Sequence, residues 1–331
     1  MPRNGAVKRL VRLCSALAVL LALGGCSFLA PEIAPPVEPI TVPVAEPVVA
    51  EVPTKTEQQQ PAKPPEPPRS LPVAIVLSSS QPAFLDVANA LIDRLDDVKV
   101  FDLSDGRRTP DSVLRVINDS DSGVVVAIGL LAARSSVAMA ESPVIFAQVF
   151  NHQDYGLLTA NSRGIAPLAP LEAQLAAWTE IDPSIQDVGI IIGEGHDALI
   201  AEAELAAQKH DIKLQFRIAH SDQETLYLFR RMAQNIDGLW LFPDNRILSA
   251  RSIQKILETT RRGHIAVAVP NESMLDLGAT ISIGTQAEDI AETIAGIIRR
   301  IRIEGLQNVP DISPLSAIRV VTRGSVEVVS R

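Results

Sequence analysis

The stretch DGLWLFPDN at residues 237–245, answered by HIAVAVPNES at residues 264–273, decides the fold. Each is an apolar run closed by a short polar loop, and about a helix length of chain separates them. Near-continuous apolar strands are those buried on both faces of a parallel sheet. The pattern predicts a strand Asp237–Phe242, the loop Pro243-Asp244-Asn245, a helix around Leu248–Arg262 and a strand His264–Val269. Pro270-Asn271-Glu272-Ser273 then turns the chain into a short strand, Ala279–Ile283, and a long helix ending at Glu304. In open α/β sheets ligands sit beyond the C-terminal ends of the strands, so these two loops are the first place to look for a site.

The same alternation runs upstream. Strands are expected at Val73–Leu77, Val98–Leu103, Gly123–Ile128 and Val144–Val149. Helices fall between them: Phe84, Ala88, Leu91, Ile92 and Leu95 share one face, followed by Pro110–Asn118 and Leu130–Ala140. After Asn161-Ser162-Arg163-Gly164 the pattern restarts with helix Leu168–Trp178, strand Val188–Ile192, helix Asp197–Lys209, strand Lys213–Ile218 and helix Asp222–Asn235. Ser221 with Glu224, and Thr285 with Glu288, have the spacing of capping boxes. The closing helix buries Ile290, Ile294, Ile297, Ile298 and Ile301, and Gly305 can stop it. The fold class is therefore α/β: two Rossmann-like lobes of parallel sheet flanked by helices.

Composition narrows the function. The 331 residues carry a net charge of -9, and four of the cations, Arg3, Lys8, Arg9 and Arg12, lie in residues 1–25, which hold no acid. Without that segment the charge is -13, which argues against a nucleic-acid partner. Both cysteines, Cys14 and Cys26, precede the α/β region, so that region has neither a disulfide nor a cysteine metal site.

Residues 1–25 read as an export signal: a basic start, then the apolar run Leu13–Leu23, too short to span a bilayer. The segment closes in Leu23-Gly24-Gly25-Cys26, which resembles the bacterial lipobox. That resemblance implies cleavage before Cys26, thioether lipidation of its thiol and acylation of the new amino end. Ser27 in the next place implies sorting to the outer membrane rather than retention at the inner one. Residues 26–72 then form a lipid-bearing tether. Ala30–Pro72 holds 13 of the 24 prolines and neither glycine nor aromatic residues, so it packs as neither helix nor central strand. An extended spacer of this kind reaches about 3.1 Å per residue.

Several chemistries lack their residues. There is no Gly-x-x-x-x-Gly-Lys loop and no Gly-x-Ser-x-Gly elbow, and Gly193-Glu194-Gly195 lacks the third glycine of a dinucleotide fingerprint. The five histidines, His152, His196, His210, His220 and His264, form no i, i+4 pair. They are expected to face water, apart from His264, which opens a strand. Neither metal, cofactor nor catalytic acid–base pair is indicated, and the chain reads as a binding protein rather than an enzyme.

The order of these elements resembles the ABC_sub_bind family over about Leu71 to Pro310. The resemblance rests on Asp244-Asn245, Glu272-Ser273, Gly278-Ala279 and Gly284, on Gly129-Leu130-Leu131-Ala132 after a strand, and on Pro143–Val149 followed by Phe150-Asn151. It departs from the family at Arg163-Gly164 and at Gly193-Glu194-Gly195-His196. Members are extracytoplasmic solute-binding proteins of ABC importers with a type I periplasmic-binding-protein fold. The resemblance implies a first lobe of residues 73–164 and about 273–305, a second of 165–272, and a final crossing within 306–331, with strands near Ala317–Thr322 and Val326–Val329. It also implies a small-molecule solute, an ABC permease as partner, and a lipid-anchored place on the periplasmic face of the envelope.

Loops at the strand ends supply the candidate site. Ser79, Ser80 and Gln81 follow the first strand, and can hold a carboxylate. Gly129 and Leu130 open a helix whose N–H groups favour an anion. Gln148, Phe150 and Asn151 follow the fourth strand; Phe150 either stacks on a ligand or belongs to the core. Asp244 and Asn245 either cap the next helix or enter the cleft, where Asp244 can pair with an amine. Asn271 and Glu272 lie near the crossing, where Glu272 is either a ligand contact or a solvated hinge residue. The expected solute is amino-acid-like. The alternative is an outer-membrane lipoprotein whose lobes bind a cell-envelope protein such as a peptidoglycan synthase.

Overall fold

In the computed structural model, residues 72–323 are described. The export segment, Cys26, the tether and the strand expected at Val326–Val329 lie outside the described residues. The first sheet contains β1 (Val73–Leu77), β2 (Val98–Asp102), β3 (Val124–Ile128), β4 (Val144–Ala147), β5 (Ser162–Ile165) and β11 (Ile312–Ser313). Its order is β11-β5-β4-β3-β1-β2, and every pairing is parallel. The second sheet contains β6 (Asp187–Ile192), β7 (Lys213–Ile218), β8 (Gly238–Trp240), β9 (Ala266–Val269), β10 (Ile281–Gly284) and β12 (Arg319–Thr322). Its order is β12-β10-β9-β8-β6-β7, parallel except for β12, which runs against β10.

Helices α1 (Pro82–Ile92), α2 (Pro110–Asn118) and α3 (Leu130–Met139) cover the first sheet. Helices α4 (Leu171–Ile181), α5 (Asp197–Lys209), α6 (Asp222–Met232), α7 (Ala250–Gly263) and the short α8 (Ser273–Leu277) serve the second. Central strands are buried throughout, as in β1 and β3, while the edge strands β2 and β7 are partly exposed and carry Lys99, Lys213 and Arg217. These are the two Rossmann-like lobes that the alternation of apolar runs and helical periods implies.

Helix α9 (Ala287–Glu304) belongs to the first lobe, although it follows a strand of the second. Its Ile290, Ile294, Ile297 and Ile298 pack in one core with Val73, Ile75 and Leu91. Gly305, at φ 83°, ends it. The described chain thus passes between lobes three times: from β5 to α4, from β10 to α9, and from β11 to β12.

Several local expectations change. The segment expected to return to the first lobe from about residue 273 does not: α8 and β10 stay with the second sheet, and the crossing comes only after Gly284. β12 lies in the expected tail and pairs with β10 of the second sheet. Helix α7 begins at Ala250 because Ser249 and Ser252 form the capping box there. His264 opens no strand. It caps α7 in the left-handed region at φ 55°. Thr285 and Glu288 form no box, since Gln286 is the N-cap and the Thr285 hydroxyl donates to the Ala317 carbonyl instead. Ser221 does cap α6, but Glu224 turns to the His220 backbone and ring.

The polar stretch around Arg163 turns out to be strand β5. Gly164 leaves room there for the Phe146 ring and Ile312, either of which would lie within about 2.5 Å of an added Cβ. The buried Arg163 guanidinium donates its Nε proton to the Val309 carbonyl at 2.9 Å.

Candidate functional site

The strand ends of the two sheets face one another across a cavity of about 370 Å³. The first lobe contributes Gln81, Phe84, Leu130, Gln148, Phe150 and Asn151, and the second contributes Pro243, Asn245, Pro270, Asn271 and Met274. All three crossing segments reach the same space, through Ile165–Ala169, Ile283–Thr285 and Leu315. A volume near the lower end of the ~300–1,000 Å³ usual for ligand pockets, walled in part by the segments that cross between lobes, has room for a small molecule.

One side of the cleft is bridged by a polar cluster. Asp244 is fully buried, and its Oδ1 accepts from Asn151 Nδ2 at 2.9 Å across the lobes. The same oxygen accepts from Arg246 Nε at 2.9 Å and from the Arg246 backbone N–H at 3.1 Å. Oδ2 accepts from Arg246 Nη2 at 2.8 Å and from the Gly193 backbone N–H at 3.0 Å. Arg246 Nη1 crosses back to Asp154 Oδ2 of the first lobe at 2.7 Å. Burial alone would raise the Asp244 pKa. The His196 ring, 3.6 Å from Oδ2, and the hydrogen bonds from Arg246 and Asn151 outweigh it and hold the carboxyl well below the usual carboxylate range.

Asn151 is the central amide of this bridge. Its Nδ2 donates to both Asp244 Oδ1 and Asn245 Oδ1, at 2.9 and 3.2 Å, and its Oδ1 faces His196 Nε2 at 2.9 Å. Gly193 permits the close approach, because a Cβ there would stand 2.6 Å from Arg246 Nη2 and 2.7 Å from Asp244 Oδ2. Phe150 adds an apolar contact across the cleft, its ring centroid 4.7 Å from that of His196 and 6.3 Å from that of Phe242.

Of the residues expected at the site, Gln81, Leu130, Gln148, Phe150, Asn151, Asn245 and Asn271 line this one cavity. Glu272 lines the adjoining polar trough and pairs with Arg319 at 2.5 Å. Asp244 caps no helix and meets no amine: Arg246 takes its charge and solvent never reaches it. Ser79, Ser80 and Gly129 stand off the cavity wall. The start of α3 offers little to an anion, since Ser78 Oγ already accepts the Ala132 N–H at 2.9 Å and Phe84 packs over Gly129.

The polar bridge draws on four residues that were not expected, Gly193, His196, Arg246 and Asp154. His196 and His152 are also withdrawn from the water they were expected to face. Only Arg246, two residues after Asp244, offered a sequence signal, that of a cation close enough to fold back on the acid.

The model of the family described as ABC transporter substrate binding protein matches residues 73–316. Comparison with curated protein sequences gives no match. Among solved structures, a conserved domain protein of Vibrio cholerae is similar at 18% identity and TM-score 0.56, over 77% of this chain and 92% of that one. A ligand-free, open substrate binding protein with adhesive properties from Clostridium difficile is similar at 14% identity and TM-score 0.57, over 76% and 92%. An ABC domain in complex with L-Trp from Streptococcus pneumonia is similar at 15% identity and TM-score 0.54, over 76% and 91%. At these identities the likeness is one of fold, the type I periplasmic-binding-protein architecture.

Proposed function

Because the chain belongs to the ABC transporter substrate binding protein family, we propose that it captures a small organic solute between its lobes and presents it to an ABC permease on the extracytoplasmic side of a membrane. The observation that carries this reading is the shared cavity: loops from both sheets and all three crossing segments wall one space. Small relative rotations of the lobes would open and reseal it, which is how a carrier releases its cargo.

In this reading Cys26 carries the lipid and residues 26–72 hold the lobes away from the bilayer. Several acyl chains together anchor stably where one alone does not. The outer membrane is the favoured site of attachment from Ser27. An amino-acid-like solute loses the support it had from Asp244, whose charge is spent on the bridge.

The test is native mass spectrometry on protein purified from the cell envelope. A small molecule released on mild activation, with compaction in small-angle scattering when it is added back, supports the proposal. Protein that carries nothing, and does not compact with any solute from an envelope extract, would remove it. A mass increase of a lipidated amino terminus, lost in Cys26→Ala, checks the anchor independently.

A further inference from the structure

The cavity walls carry amides, hydroxyls, aromatic rings and aliphatic groups, and among the described residues none of its lining side chains is ionisable to a charge near neutral pH. Its polar side chains are chiefly amides: Gln81, Gln148, Asn151, Asn245 and Asn271. Of the acids next to the lining in sequence, Asp154 and Asp244 are paired with Arg246 and Glu272 with Arg319, while Asp289 lies in the first turn of α9. A zwitterion placed here would leave its ammonium without a countercharge in a largely apolar space, and burying an unpaired charge is costly.

Gln148 adds a second, independent observation. It sits in the left-handed region at φ 56°, where a side chain other than glycine, asparagine or aspartate is seldom held. Its Nε2 makes a long 3.3 Å hydrogen bond to the Ala83 carbonyl, while its Oε1 is buried with no hydrogen-bond partner among the described residues. A buried carbonyl oxygen left unpaired forfeits the hydrogen bond it had in water, so a donor from outside the protein is the natural complement. Strain of this kind persists where the surroundings hold a residue to a task.

We infer that the solute is an uncharged molecule with an apolar, ring-bearing body and an amide-type edge, whose N–H donates to Gln148 Oε1. The inference rests on the solute-binding reading above and names the class of solute. An amide or lactam edge offers one donor beside one acceptor, which a wall of carboxamides matches with no net charge on either side. Phe84 and Phe150, half-buried in the first-lobe wall, suit the body. A polyol would suit it less well, because hydroxyls on every edge would meet the proline, alanine, isoleucine and leucine surfaces that form most of the remaining wall.

A matched series separates charge from shape. Indole-3-acetamide, indole-3-acetate, tryptamine and L-tryptophan share a ring and differ in charge, and each is titrated calorimetrically into the purified full chain at pH 7. Expected is binding of the acetamide at least tenfold tighter than that of the other three. Gln148→Ala should weaken it at least tenfold, and Gln148→Glu should shift preference toward tryptamine, with thermal melts confirming that both variants fold. Tighter binding of L-tryptophan would overturn the uncharged class and leave the carrier intact. Tighter binding of the acetate would do the same, assigning the role to the uncapped N-terminus of α1. Should no member of the series bind, the inference falls, and the native mass spectrum then decides whether the carrier reading falls with it.

Discussion

Asn151 and Asp244, 93 positions apart in sequence, meet at 2.9 Å between an amide of one lobe and a carboxylate of the other. That contact makes the cleft a defined space, because Arg246 and Asp154 close the same side with a second crossing contact at 2.7 Å. Removing Asp244 therefore acts on lobe closure before it acts on any ligand. Asp244→Ala is expected to lower unfolding stability by about 3 kcal/mol, the low end for breaking a buried ion pair, since Arg246 keeps part of its surface in solvent. Arg246→Ala should cost about as much, and the double variant much less than the sum, by denaturant titration. Additive losses would show that the two residues act separately.

Gly193 gives a narrower test of the same bridge. A methyl group at this position has to displace Arg246 Nη2 or Asp244 Oδ2, and both are already committed to each other. Gly193→Ala is expected to cost roughly 1–3 kcal/mol, as overpacking does. Hydrogen exchange should also quicken in the loops around Asn151 and Asp244. Gly195, where an added Cβ meets nothing within 4 Å, is not a neutral control, because its φ of 83° strains any substitution. An unchanged exchange pattern in Gly193→Ala would mean that the bridge tolerates a longer reach.

What the residues disclosed in advance follows from the range of their interactions. β1, β3 and the face of α9 were legible because burial on both faces, or along one helical stripe, writes a periodic apolar pattern into contiguous sequence. The loops after β4 and β8 were legible as walls of one cavity because the strand ends of such sheets face a crevice. Asp244 fills neither of its two expected roles, helix cap or cleft group, because its fate depends on Gly193, Asn151 and Asp154, none of them within reach in sequence. β5 was missed because Arg163 looks like a loop residue until its guanidinium finds the Val309 carbonyl. The late crossing after Gly284 was missed for the same reason: a parallel pairing with β9 leaves no local mark.

The bridge should also be insensitive to moderate acid. Asp244 has its pKa lowered in the folded protein, so its contribution is present above the unfolded value of about 3.9 and lost as pH falls below it. The difference in melting temperature between wild type and Asp244→Asn is accordingly expected to hold steady from pH 8 to pH 5 and to shrink only below about pH 4. Scans across that range check it directly. A difference that fades already near pH 6 would indicate that an imidazole, not this carboxylate, holds the lobes together.

Gly284 ends β10 at the second crossing, where a Cβ would stand 2.3 Å from the Pro270 carbonyl oxygen. Both residues line the cavity, and the clash is with backbone, which cannot swing aside as a side-chain end can. Gly284→Ala should therefore push the β10 end away from the Pro270 loop, lowering stability by about 2 kcal/mol and widening the cleft at its floor. Gly263→Ala is the control, since its added methyl meets only the Ile265 side chain at 3.5 Å. Melting temperatures compare the two variants, and hydrogen exchange over residues 281–287 locates the disturbance. Equal melting temperatures for both would show that the Pro270 loop yields freely, and a floor that yields so easily cannot set the size of what the cavity accepts.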